Sequence, residues 1–207
     1  PPRSTLFPYT TLFRSSGVTF GDPELDLDKI RYWKESVVTK LSNGITQLAK
    51  ARNVQIIQGL ATFDSPTQLS ITSENSQQTL TFENCIIGTG SVAAGIPGFP
   101  TDHPRIINST GALKLQNIPK RLLVIGGGYI GLEMGSVYNA LGSQVTVVEF
   151  MPFLLPGADE DLVKPLASKL KKSFENLYLS TKVSKVEPTD NEVRSEERRV
   201  GKECRSR

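Results

Sequence analysis

The chain has 207 residues, 38% of them hydrophobic and 22% charged, a composition that does not suggest disorder and fits one or two small globular domains. No apolar run approaches the roughly 20 residues of a membrane-spanning helix, and no signal-peptide pattern opens the chain, so a cytoplasmic protein with no membrane partner is the expectation. The formal charge of +3 resides in the two ends, and the stretch between them is slightly acidic, so the overall basic balance gives no ground for a nucleic-acid partner.

Those ends stand apart from the rest. Pro2 to Ser15 and Arg194 to Arg207 can be encoded so that each is the reverse complement of the other, codon by codon and without a gap. Both also resemble translated sequencing-adapter DNA. Residues 1–15 and 194–207 are therefore expected to be artefactual and are set aside from the reading of the fold.

From Asp26 to Lys50, apolar residues recur at Ile30, Trp33, Val37, Leu41, Ile45 and Leu48, the three-or-four spacing of one helix face, with Asp26 or Asp28 as cap. The short segments Val54 to Ile57, Gln68 to Thr72 and Thr79 to Phe82, punctuated by Gly59, Asp64-Ser65-Pro66 and Glu74-Asn75-Ser76, read as a small antiparallel meander. Asn84-Cys85-Ile86-Ile87 reads as a final buried strand, with Cys85 acting as a small hydrophobe. It runs into Gly88-Thr89-Gly90-Ser91 and a Gly/Pro-rich loop over Gly95 to Pro104, and a domain boundary is expected near Asn117 to Lys120. Beyond it the order becomes strand (Arg121 to Ile125), glycine-rich turn and helix (Gly126 to Leu141), then strand (Gln144 to Glu149), which is a βαβ unit. After a loop over Pro152 to Gly157, a helix is expected from Asp159 to about Phe174, with Asp159, Glu160 and Asp161 in its positive first turn. Pro165 falls in the second turn, where it predicts a kink or a boundary. Leu177 to Leu179 and Lys182 to Glu187 read as two further strands.

The chemistry lies in Gly126-Gly127-Gly128-Tyr129-Ile130-Gly131, a GxGxxG that follows a strand and opens a helix. In that context Gly126 permits the tight turn, Gly128 lets backbone amides approach a pyrophosphate, and Gly131 lets helix and strand pack closely. The phosphates lie at the helix N-terminus, whose N–H groups and dipole favour negative charge. The second strand ends at Glu149, on the order of 20 residues after the last glycine, where a carboxylate accepts hydrogen bonds from ribose hydroxyls. That carboxylate repels a 2′-phosphate, and Phe150, Met151 and Pro152 supply no cation to hold one, so NAD is the expected cofactor rather than NADP. The residues alone leave open an FAD-binding βαβ unit and a glycine turn without a ligand. His103, the single histidine, stands in a proline-flanked loop without an acidic partner and is expected to be a solvated loop residue. No metal site is expected.

With these residues in view, the chain resembles the dihydrolipoyl dehydrogenases within the pyridine nucleotide-disulfide oxidoreductases. The resemblance spans nearly all of residues 16–193. It rests on Asp28-Lys29-Ile30 with Trp33-Lys34, on Gly88-Thr89-Gly90-Ser91, on Asn108-Ser109-Thr110-Gly111-Ala112-Leu113, and above all on Arg121 through Gly135 running to Val148-Glu149. It implies an α/β fold that is part of a two-dinucleotide flavoprotein: the later part of an FAD domain with its meander over 16–118, then the start of a Rossmann-like NAD domain over 119–193. It implies FAD contacts at Gly59, Ala61, Thr89 and Gly90, and NAD contacts at Gly126 through Gly131, Glu149 and the backbone near Val183. By the same analogy Glu133 meets the nicotinamide carboxamide and Tyr129 covers the flavin face. The sequence departs from the family at Val92-Ala93, where a proline usually follows the Gly-Ser pair, and at Pro165.

The family's first GxGxxG, its Cys-x4-Cys pair and its C-terminal His-Glu pair do not occur in this sequence, so no catalytic residue is assigned and the polypeptide is expected to be an inactive internal fragment. The implied parent is a cytoplasmic homodimer that passes two electrons from dihydrolipoamide through a disulfide and FAD to NAD. Its implied partners are the lipoyl domains of 2-oxo acid dehydrogenase complexes. Another FAD/NAD(P) disulfide reductase, a soluble transhydrogenase, and a stand-alone NAD-binding module are the alternatives.

Overall fold

A computed structural model describes residues 24–74 and 76–200. Residues 1–15, 201–207 and Cys204 therefore lie outside the described part. The described residues divide into two compact units, Lys29–Val92 and a second made of residues 24–28 with the stretch from Ala93 onward.

In the first unit the predicted helix forms as α1, Leu27–Ala51. Its apolar stripe is present as read, yet none of its residues is buried. Trp33 remains 68% exposed and Ile45 69%. Three strands follow: β1 (Leu60–Ser65), β2 (Gln68–Thr72) and β3 (Gln77–Thr81). They pair in that order as an antiparallel meander. A three-stranded meander forms as expected, but Val54 to Ile57 form no strand; the first strand lies beyond Gly59 and runs through Asp64-Ser65, which are expected to be a turn. The reason is local: the Ser70 hydroxyl donates to Asp64 Oδ2 (2.5 Å) and the Thr67 N–H to Ser65 Oγ (3.3 Å), which shortens the turn to Pro66-Thr67. Ile71 is the buried residue of this sheet, and Phe63 meets Phe82 edge-to-face with ring centroids 6.2 Å apart. Asn84 to Ile87 form no strand, and Cys85 is exposed rather than buried. An apolar run becomes a strand only when a neighbour supplies ladder partners, and no described segment does so here.

The second unit opens with a loop and the short helix α2, Ser109–Leu113, capped by Asn108 Oδ1 accepting from the Gly111 N–H (3.0 Å). The βαβ unit then forms as read: β4 (Arg121–Ile125), α3 (Tyr129–Ala140) and β5 (Gln144–Val148), with β4 and β5 parallel. After α4 (Glu160–Ser173), β6 (Asn176–Tyr178) extends the parallel sheet in the order β4-β5-β6. The core lies between this sheet and its helices. Val145, Val147 and Val148 on β5 are buried together with Leu132 and Tyr138 of α3, Val163 and Leu170 of α4, and Phe174. Each such side chain contributes about 1.5–3 kcal/mol on leaving water. Gly135 sets the depth of α3, because a Cβ there would stand 3.3 Å from Phe174 Cζ and 3.4 Å from Val145 Cγ1.

Helix α4 runs continuously through Pro165, so the proline marks no boundary. It sits in the second turn, where one hydrogen bond is forgone near the helix start, and it is exposed, so its ring displaces no core side chain. Finally, β7 (Thr181–Pro188) pairs antiparallel with β8 (Val193–Arg199). Strand β8 comes from the segment that the sequence reading sets aside. None of its residues is buried, and the hairpin is closed by a turn in which Thr189 N–H donates to Glu192 O (2.7 Å) and Glu192 N–H to Thr189 Oγ1 (3.1 Å). Backbone pairing and turn chemistry carry that strand, and periodicity is silent about both.

Candidate functional site

Because β4 and β5 are parallel with Ile125 opposite Val148, both strands end at one edge and deliver Gly126 and Glu149 next to each other. The Gly126 N–H donates to Val148 O (2.9 Å), and its φ of 108° is one that a side chain would strain. Gly131, in the first turn of α3, lies so close that a Cβ would collide with the Gly126 carbonyl oxygen and stand 3.1 Å from Val124 Cγ1. Gly128 is the N-cap of α3, without a side-chain cap, and nothing stands within 4 Å of where its Cβ would be. The turn is therefore closed by backbone contacts on one side and open above the helix N-terminus. N–H groups left over at the first helical turn and the positive end of the dipole face that opening.

Glu149 is 7% exposed. Its Oε2 accepts the Gly127 N–H (2.5 Å) and its Oε1 the Met151 N–H (2.6 Å). Its own N–H donates to Tyr178 O (2.8 Å), and its carbonyl accepts the Thr181 N–H (2.9 Å). A buried carboxylate is tolerable because each oxygen is matched by a backbone donor. Each oxygen also retains a second lone-pair direction for a further donor. The carboxylate thus fastens the glycine turn to the segment after β5.

The expected NAD residues Gly126, Gly127, Gly128, Gly131 and Glu149 are therefore brought together. Tyr129, Ile130 and Glu133 are exposed on the first turns of α3, with Tyr129 and Glu133 four residues apart on one helix face. Val183 is buried in β7, two residues beyond the Thr181 that bonds Glu149. The FAD residues Gly59, Ala61, Thr89 and Gly90 all fall in the Lys29–Val92 unit. Gly59 has a packing duty of its own, since a Cβ there would stand 2.6 Å from Ile71 Cγ2 and 2.9 Å from Thr72 O. Ala61 is exposed on β1 opposite Ile71, and Gly90 turns at φ 76° with nothing near its Cβ position.

Sequence reasoning missed Met151, Leu154 and Leu155. Leu154 is 1% exposed, and a Cβ on Gly127 would come 2.6 Å from its Cδ2. The Leu155 N–H donates to Gly127 O (2.9 Å). The signal available is slight: two leucines before Pro156-Gly157 in a segment whose composition reads as loop.

The family model for pyridine nucleotide-disulphide oxidoreductases matches residues 5–204. The chain belongs to that family. Among curated members, the dihydrolipoyl dehydrogenase of Haemophilus influenzae is 46% identical over 179 residues, which is 86% of this chain and 37% of the relative. That of Vibrio cholerae is 42% identical over 177 residues, with the same two shares. This chain of the oxidoreductase family thus spans about 37% of the length of these curated relatives. Of solved structures, the HOCl-induced flavoprotein disulfide reductase RclA of Escherichia coli superposes with a TM-score of 0.72 at 28% identity, covering 94% of this chain and 42% of that one. LpdA of Mycobacterium tuberculosis gives a TM-score of 0.75 at 23% identity over 94% of this chain and 45% of that one, which supports the partial flavoprotein fold. Among the described residues, no helix is long and apolar enough to cross a membrane.

Proposed function

We propose that this chain is an internal part of a dihydrolipoyl dehydrogenase and that its second unit binds the NAD of that enzyme. The relatives' identities of 42–46% support the parent. The observation that carries the NAD reading is Glu149: a buried carboxylate at the end of β5, tied to Gly127 and beside an open helix N-terminus. The residues fit NAD. Gly126 through Ile130 and the first turn of α3 would hold the pyrophosphate, Glu149 would accept the ribose hydroxyls, and Tyr129 and Glu133 would face the nicotinamide end, with the Val183 backbone at the far side. When bound, NAD accepts a hydride; this chain's residues supply position and charge. The carboxylate of Glu149 selects against a 2′-phosphate by repulsion.

FAD is the second cofactor of the proposed parent, with Gly59, Ala61, Thr89 and Gly90 as its proposed contacts. The space above Gly59 is filled by Ile71 and Thr72, and Gly90 faces open space. In the proposed division, 16–118 is the later part of the FAD domain and 119–193 the start of the NAD domain, between artefactual ends at 1–15 and 194–207. The parent would be a cytoplasmic homodimer acting on lipoyl domains, with neither nucleic acid nor membrane as partner. The polypeptide itself would oxidise no dihydrolipoamide.

Calorimetric titration tests the NAD reading. The chain is expected to bind NAD at least about tenfold more tightly than NADP, and Glu149→Ala to remove most of that preference. Equal affinity for the two nucleotides, or a preference that survives Glu149→Ala, would count against it.

A further inference from the structure

The segment after β5 does more than connect. Leu155 adopts φ 51°, a left-handed conformation that costs a branched L-residue about 1–2 kcal/mol and that glycine or asparagine would occupy more readily. In this conformation its N–H reaches Gly127 O (2.9 Å), and its carbonyl accepts the Ala158 N–H (3.0 Å) to close the turn. Meanwhile the Leu154 side chain fills the space beside Gly127. The Gly127 residue is thus gripped at both ends, its N–H by Glu149 and its C=O by Leu155. A trans peptide is planar with its C=O and N–H pointing in opposite directions. Holding Gly127 O toward Leu155 therefore turns the Gly128 N–H away from that loop.

We infer that Leu155 is a positioning residue for the dinucleotide site: its left-handed backbone aims the Gly128 N–H at the pyrophosphate. The inference rests on the dinucleotide reading above and adds to it the device that pre-organises the phosphate end. It separates two parts of the ligand. The ribose end depends on Glu149, whereas the phosphate end depends on the conformation at position 155.

The test uses the whole chain and two probes, adenosine, which lacks phosphate, and ADP-ribose, which carries the pyrophosphate. Leu155→Val retains the N–H but disfavours positive φ, whereas Leu155→Gly and Leu155→Asn retain the N–H and accept that conformation. The ratio of ADP-ribose to adenosine affinity is expected to fall about tenfold in the valine variant, as for one charge-assisted hydrogen bond, and to stay within about twofold of the original in the other two. Valine leaving the ratio unchanged, or glycine and asparagine lowering it as much as valine, would overturn the inference. Amide shifts of the unsubstituted chain give a second readout that needs no variant: the Gly128 N–H should move on adding ADP-ribose and stay in place on adding adenosine. A Gly128 amide indifferent to ADP-ribose also overturns it. A chain that binds neither probe rejects the dinucleotide reading itself, and this inference with it.

Discussion

Two glycines of one motif answer to different physical demands. At Gly131 a methyl group meets the Gly126 carbonyl, which is backbone and cannot rotate aside; at Gly128 it meets nothing within 4 Å. Gly131→Ala is therefore expected to destabilise the chain by about 1–3 kcal/mol, as overpacking does, with the loss read from urea unfolding. Gly128→Ala should cost no more than about 1 kcal/mol at a helix N-cap and yet weaken NAD binding, because its Cβ occupies the opening. Tyr138 offers a separate test. It is 2% exposed, its hydroxyl donates to Ala112 O (2.9 Å), and burial raises its pKa above the ordinary value of 10.0. A folded pKa raised in this way gives stability that is fully present below the unfolded value and lost as pH rises through the folded one. Tyr138→Phe should cost about 1 kcal/mol at neutral pH by removing the bond. It should also flatten the fall in stability above about pH 10. A variant that keeps the original alkaline profile would show that this phenol is not the titrating group.

At the scale of elements, the glycine turn and both strands of the βαβ unit were legible because local periodicity and a fixed glycine spacing report directly on backbone shape. Helix α1 was legible too, but only as a helix. Its stripe of Trp33, Leu41 and Ile45 predicts a buried face, whereas these side chains are exposed. Replacing Leu41 and Ile45 by Lys should accordingly change unfolding free energy by less than about 0.5 kcal/mol each, in contrast to the same change at Val147. A loss of several kcal/mol on thermal or urea unfolding would mean that the face is covered. Strand pairing was the opposite case. The run at Asn84 to Ile87 has strand composition and forms none, while Arg194 to Arg199 has little apolar character and pairs along β7. Hydrogen-bond partners lie outside the segment, so its own residues do not announce them.

Among the described residues, burial is concentrated in the unit that holds the stretch from Ala93 onward, and the Lys29–Val92 unit contributes only Ile71 to the core. Stability should be distributed the same way. In native-state hydrogen exchange, the amides of Val145, Val147 and Val148 should be the last to exchange, and those of β1 to β3 should exchange well before them. Uniform protection across the two units would contradict that distribution. The sequence by itself determined the βαβ unit, the glycine turn, the carboxylate at the end of β5 and the family, because each is written in contiguous residues at fixed spacing. Tertiary structure alone decided that Glu149 bonds Gly127 and Met151, that Leu155 holds the other end of Gly127, that Cys85 is exposed and that β7 finds its partner in β8. These depend on groups that meet only when distant segments fold together, and a backbone N–H carries no side-chain signature by which a sequence could reveal where it points.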